Sequence, residues 1–90
     1  MTERYAVLLA PPARRALAEQ LPPDVAMAAW ELITGALADD PWRVGKPLHE
    51  PYLGLHAARR GTYPILYKID EDKHTTEIRS IRHRADAYRT

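Results

Sequence analysis

Ninety residues make one small domain, residues 1–90, with room for a single modest core. With 46% apolar and 28% charged residues, the chain is ordinary globular material and not a disordered segment. Cysteine is absent, which excludes a disulfide scaffold and thiolate metal sites and fits a reducing compartment.

No apolar run approaches the roughly 20 residues that cross a bilayer, and Met1-Thr2-Glu3-Arg4-Tyr5 opens no secretory apolar region. A cytoplasmic protein with no membrane partner is expected. The net charge of +1 is unevenly divided. Residues 1–52 carry five Lys/Arg against seven Asp/Glu, and residues 53–90 carry eight against five. A basic C-terminal half points to a polyanionic partner. On charge alone, a solvated sheet face fits as well.

The apolar run Arg4 to Ala10 predicts a buried strand, ended by Pro11-Pro12. A short helix follows over about Pro12 to Gln20, with Ala13, Ala16 and Leu17 inward and Arg14, Arg15 and Glu19 outward. After Pro22-Pro23, the stripe Val25, Ala29, Leu32, Ile33, Ala36 and Leu37 predicts a longer amphipathic helix over Asp24 to Ala38, antiparallel to the first. Met27 and Trp30 fall off that stripe, at the core's edge or in a groove for a partner. Asp39-Asp40-Pro41 closes the helix, and Trp42 to Leu53 reads as a loop.

Gly54 to Asp70 then predicts two strands meeting near Gly61-Thr62. Tyr63, Ile65, Tyr67 and Ile69 alternate on one side of the second. An acidic turn, Asp70 to Lys73, leads to a last strand from about Thr75 to Arg82. Ile78 and Ile81 break its alternation, as in a central or bulged strand. The order β-α-α-β-β-β predicts an α+β fold with two helices on one face of a mostly antiparallel four-stranded sheet.

Chemistry is sparse in this chain. His49, His56, His74 and His83 are scattered, Asp70 to His74 reads as a charged turn, and the glycines form no phosphate loop. Ser80, the one serine, sits in no nucleophile motif. Neither a metal nor a small-molecule cofactor is expected. What remains is basic: Arg59 and Arg60 before the turn, then Arg82, His83, Arg84, Tyr88 and Arg89 after the last strand. If the last strand lies beside a middle strand, these groups converge at one end of the sheet. Guanidinium groups grip phosphate bidentately and stabilise charge developing on it. An imidazole moves protons near neutrality, and a tyrosine stacks on a base. Such an inventory suffices for metal-free RNA cleavage by an adjacent 2′-hydroxyl.

Gly45-Lys46-Pro47-Leu48, Gly54-Leu55-His56-Ala57-Ala58-Arg59-Arg60-Gly61-Thr62-Tyr63, Ile65-Leu66-Tyr67-Lys68-Ile69-Asp70 and Ile81-Arg82-His83-Arg84 with Asp86 and Tyr88 resemble the RelE/ParE superfamily of type II toxin–antitoxin toxins. The resemblance implies a microbial-ribonuclease-like fold and a cognate antitoxin. In its RelE branch it implies metal-free cleavage of mRNA in the ribosomal A site. By this resemblance Arg59, Arg60, Arg82, His83 and Tyr88 are the catalytic candidates. Lys46, Arg59, Arg60, Arg84 and Arg89 are RNA-binding candidates, and the helical face around Trp30, with the basic sheet, is the expected antitoxin contact. The alternatives are a ParE-like toxin inhibiting DNA gyrase without chemistry, or a small nucleic-acid-binding module. Two departures stand out. The family's Gly-x-Tyr-Arg has Pro64 in place of its arginine, and lysines early in the preceding strand are replaced by Leu55 and Ala57. Pro64 lacks a backbone donor, so its part of the strand should be an edge or unpaired.

Overall fold

The computed structural model describes residues 4–60, with Arg60 by its backbone alone, and residues 63–82. The predicted turn at Gly61-Thr62 and the tail from His83 to Thr90 lie outside the described residues. Prolines open each helix: Pro11 in α1 (Pro11–Arg15), Pro23 in α2 (Pro23–Leu32) and Pro41 in α3 (Pro41–Val44). The ring fixes φ at a helical value where no intrahelical N–H bond is required. Both α1 and α2 run on into wider π-helical turns, Ala16–Gln20 and Ile33–Leu37. The first of these closes with the Leu21 N–H donating to the Ala16 carbonyl at 2.9 Å.

The wide turn in the second helix settles which residues face inward. Ala29, Ile33 and Leu37 are buried at four-residue steps. Such steps drift off one face of a helix with about 3.6 residues per turn, and a π turn takes up the drift. Ala36, expected on the inner stripe, is exposed instead.

The sheet has five strands in the order β1-β5-β4-β3-β2. These are β1 (Ala6–Leu9), β2 (Lys46–Pro47), β3 (His56–Arg60), β4 (Tyr63–Asp70) and β5 (Thr75–Ile81). β1 runs parallel to β5, and every other pair is antiparallel. Two expectations need correction, and a third is met. The expected Trp42–Leu53 loop begins with the end of α3 and the two-residue strand β2, which makes the fifth strand. β1 is an edge strand: Val7 and Leu9 are partly buried against the core and Leu8 is 52% exposed, so none of its residues is fully buried. The break in β5 has both suggested causes. It lies between β1 and β4, and it carries a bulge: Tyr67 opposes Ile78 while Leu66 opposes Ser80, leaving Arg79 as the extra residue. The bulge returns Ile81 to the face of Ile78, so both isoleucines are buried.

The core lies between helices and sheet. Ala13, Ala16, Ala29, Ile33 and Leu37 meet Ala58, Ile65, Tyr67, Ile78 and Ile81. Small alanines on the helices let them approach a sheet that supplies the bulk. Tyr67 is fully buried, and its hydroxyl donates to the Pro41 carbonyl at 2.6 Å. Burial pushes this phenol up to about 12, with the Gly45 amide working in the opposite direction. The neutral form is therefore favoured by folding. Its stabilising contribution is complete below pH ~10 and is lost as pH rises toward 12. Denaturant titrations should show stability falling across that window in the wild type. In Tyr67→Phe the fall should shrink, from a starting stability lower by about 1–2 kcal/mol for the lost hydrogen bond.

His56 is buried between the Trp42 ring, edge-on at 5.3 Å, and the Tyr67 ring, stacked at 5.7 Å. Burial holds its pKa below the usual imidazole value, as expected of a core histidine. A second polar cluster fastens the β4–β5 turn to the rest. Tyr5 Oη and Trp42 Nε1 both donate to Glu71 Oε2 at 2.5 Å, and the Tyr5 and His74 rings stack at 3.8 Å. The hydrogen bond from Tyr5, then that from Trp42, holds the Glu71 carboxyl below its ordinary value. The acidic turn is thus a structural fastening. Among the described residues, no three His, Asp or Glu gather where they could hold a metal ion.

Candidate functional site

Strand pairing brings the described basic positions to one end of the sheet. Arg59 opposes Pro64 and Arg60 opposes Tyr63 across β3–β4, while Ile65 opposes Ile81 across β4–β5. Arg82 follows Ile81 directly. The end of β3, the start of β4 and the end of β5 therefore form one rim carrying Arg59, Arg60 and Arg82 in sequence positions side by side. Arg59 and Arg82 are exposed. The bulge at Arg79 is what places Arg82 here: it sets Ile81 into the core and leaves the next residue at the rim.

Pro64 occupies β4 where that strand has one neighbour. It is paired with Arg59, but the ladder to β5 starts one residue later, at Ile65. The missing donor thus falls at a position unpaired on one side, as its chemistry requires.

Beside this rim, a cleft of about 490 Å³ separates the C-terminal part of the first helix from the sheet. Its walls include Arg15, Gln20 and Leu21 on the helical side and Tyr63, Ser80 and Arg82 on the sheet side. Among the described residues no carboxylate lines it, and neither Arg15 nor Arg82 makes an ion pair. The site can therefore hold an anion with planar guanidinium groups and offer amide and hydroxyl groups to its neighbours. Sequence reasoning placed Arg15 on an outward helix face and gave Gln20 and Ser80 no role. The available signal was the adjacent Arg14-Arg15 pair at the helix end, whose position over β5 only the fold supplies.

The other candidates lie elsewhere. Lys46 is exposed on edge strand β2, opposite Ala57. Two strands, β3 and β4, separate it from β5, about 14 Å of sheet at the usual strand spacing, so it does not join the Arg82 cleft. Trp30 is 48% exposed and Met27 66% exposed, three residues apart on the outward side of α2. His83, Arg84, Tyr88 and Arg89 lie outside the described residues. Within the described residues no helix is long and apolar enough to cross a membrane.

No family model matches the chain. Individual relatives do. The chain is 46% identical over 85 residues to Toxin RelG of Mycobacterium tuberculosis, covering 94% of this chain and 97% of that protein. It is 42% identical over 85 residues to Toxin RelE of the same organism, covering 94% and 87%. Its fold superposes with a TM-score of 0.86 on a chain of the toxin–antitoxin complex RelBE2 from Mycobacterium tuberculosis, at 43% identity, covering 96% and 98%. With identities this high over most of each relative's length, the chain belongs to the RelE family of toxins from toxin–antitoxin systems.

Proposed function

We propose that this toxin inhibits translation by cutting mRNA at the ribosomal A site in the cytoplasm, with the Arg82 end of the sheet as its reactive centre. The observation that carries the reading is the convergence of Arg59, Arg60 and Arg82 on one rim, beside a cleft that holds cations and no described carboxylate. In the reaction, a ribose 2′-oxygen loses its proton and attacks the adjacent phosphorus. The bond from phosphorus to the 5′-oxygen breaks, and that oxygen takes a proton. The products are a 2′,3′-cyclic phosphate and a 5′-hydroxyl. Arg82 and Arg59 stabilise the charge on the phosphoryl oxygens, with Arg60 at the neighbouring position. His83 serves in proton transfer, and Tyr88 stacks on a base. Arg84 and Arg89 add backbone-binding charge. Lys46, set apart on β2, contributes to longer-range attraction of the message.

Controlled expression with mapping of mRNA ends tests this. Breaks should accumulate at A-site codons in cells making the wild type and be absent with Arg82→Ala. Growth arrest with intact mRNA and DNA damage would replace this reading with gyrase inhibition.

A cognate antitoxin neutralises the toxin, docking on the exposed Trp30–Met27 face and reaching the basic rim. The relative of known structure was solved as a toxin–antitoxin complex, which supports such a partner. Large half-exposed aromatics are the side chains that anchor interfaces. Trp30→Asp should weaken antitoxin binding by about 2 kcal/mol or more, roughly thirtyfold in Kd by calorimetry, while mRNA cleavage by the free toxin persists. Unchanged affinity would remove Trp30 from the interface.

A further inference from the structure

We propose that Arg15, on the first helix, is a phosphate-binding residue, and that the cleft it shares with Arg82 is a subsite for the nucleotide next to the cleaved bond. The proposal rests on the RNA-cleaving reading of the Arg82 rim and extends it to a residue on a different element.

Three observations point this way. Arg15 and Arg82 line the same cleft from opposite walls, one from the helical layer and one from the end of β5. Among the described residues neither guanidinium has a carboxylate partner and none lines the cleft, so the site lacks an internal counter-charge. Its volume of about 490 Å³ lies within the ~300–1,000 Å³ of clefts that take a single small ligand. A nucleotide of a single strand has the matching chemistry. Its phosphate meets the guanidinium groups. Its base meets the Gln20 amide and the Ser80 hydroxyl near the Tyr63 ring, the way single-stranded RNA is read by hydrogen bonding and stacking. The π-helical turn Ala16–Gln20 shapes the wall, carrying Gln20 into the cleft lining while Ala16 stays buried against the sheet. An acidic protein segment would match the charge alone, without use for the paired amide and hydroxyl groups.

The test measures binding of a single-stranded RNA, 2′-O-methylated throughout so that it cannot be cut, to the full chain over a range of salt concentrations. Wild type, Arg15→Ala, Arg15→Lys and Arg82→Ala are compared. Arg15 is exposed, so thermal unfolding of its variants should match the wild type. Arg15→Ala is expected to bind about tenfold more weakly, and its plot of log affinity against log salt should be shallower by about 0.7, the loss of one phosphate contact on a single strand. Arg15→Lys should restore the slope while recovering only part of the affinity. If Arg15→Ala matches the wild type in both while Arg82→Ala is weakened, the subsite is overturned and the RNA reading of the rim stands. A loss in Arg15→Ala confined to antitoxin binding overturns the subsite and gives the cleft to the protein partner. No RNA binding by the wild type, or binding unaltered in both Arg15→Ala and Arg82→Ala, removes the RNA reading and the subsite with it.

Discussion

Replacing Arg82 with alanine is expected to slow mRNA cleavage under single-turnover conditions by about 10²–10³-fold, the usual effect of removing one group aimed at a developing oxyanion. The residue follows Ile81, which is buried, so its backbone is anchored by the core while its side chain remains exposed. That combination predicts a loss of rate without a loss of fold. Arg82→Ala should unfold within about 0.5 kcal/mol of the wild type, as surface substitutions usually do. Arg82→Lys keeps the charge but loses the planar fork, and should recover only part of the rate. Equal cleavage by Arg82→Ala and wild type would mean that the chemistry lies elsewhere.

Gly45→Ala is expected to have the largest effect on stability. A Cβ at this position would stand 2.3 Å from the Tyr67 hydroxyl oxygen and 2.7 Å from the Ala57 carbonyl oxygen. The carbonyl belongs to β3 and cannot swing away, and the hydroxyl is held by Pro41 in the buried core. Relief requires moving β2 from β3 or breaking the Tyr67–Pro41 bond. Overpacking of this kind costs about 1–3 kcal/mol, and a buried carbonyl left unpaired adds about 1–3 more. For a domain of this size each kcal/mol lowers Tm by about 4–8 °C, so calorimetry should register a drop of roughly 10 °C or more. Pairing the change with Tyr67→Phe removes the nearer clash, and the double variant should lose less than the sum of the single ones. A Tm unchanged in Gly45→Ala would refute the close approach.

Much of this fold could be read in the sequence where a pattern answers to a single physical cause. Proline pairs mark the helix starts because their ring geometry suits the first turn. Tyr63, Ile65, Tyr67 and Ile69 alternate because one face of β4 meets the helices, and all four pack in or against the core. The misses have causes that local patterns do not carry. β2 is two residues long and exists only because Lys46 and Pro47 find β3 beside them. Ala36 turns outward because a π turn changes the helical phase. Leu8 faces outward because the core meets only the face of β1 that carries Val7 and Leu9, a fact of layering. The candidate site divides in the same way. Arg59, Arg60 and Arg82 could be picked from composition and resemblance, since basic residues bracket the strands. Arg15 could not, because the first helix reaches the cleft only through packing over β5.

The most direct measurement uses purified ribosomes programmed with one defined message and purified toxin. The expected result is a single break in the A-site codon, leaving a 2′,3′-cyclic phosphate on the upstream fragment, with the break lost in Arg82→Ala and prevented by prior addition of the antitoxin. A message that stays intact at equimolar wild-type toxin, while the same preparation inhibits DNA gyrase, would contradict it.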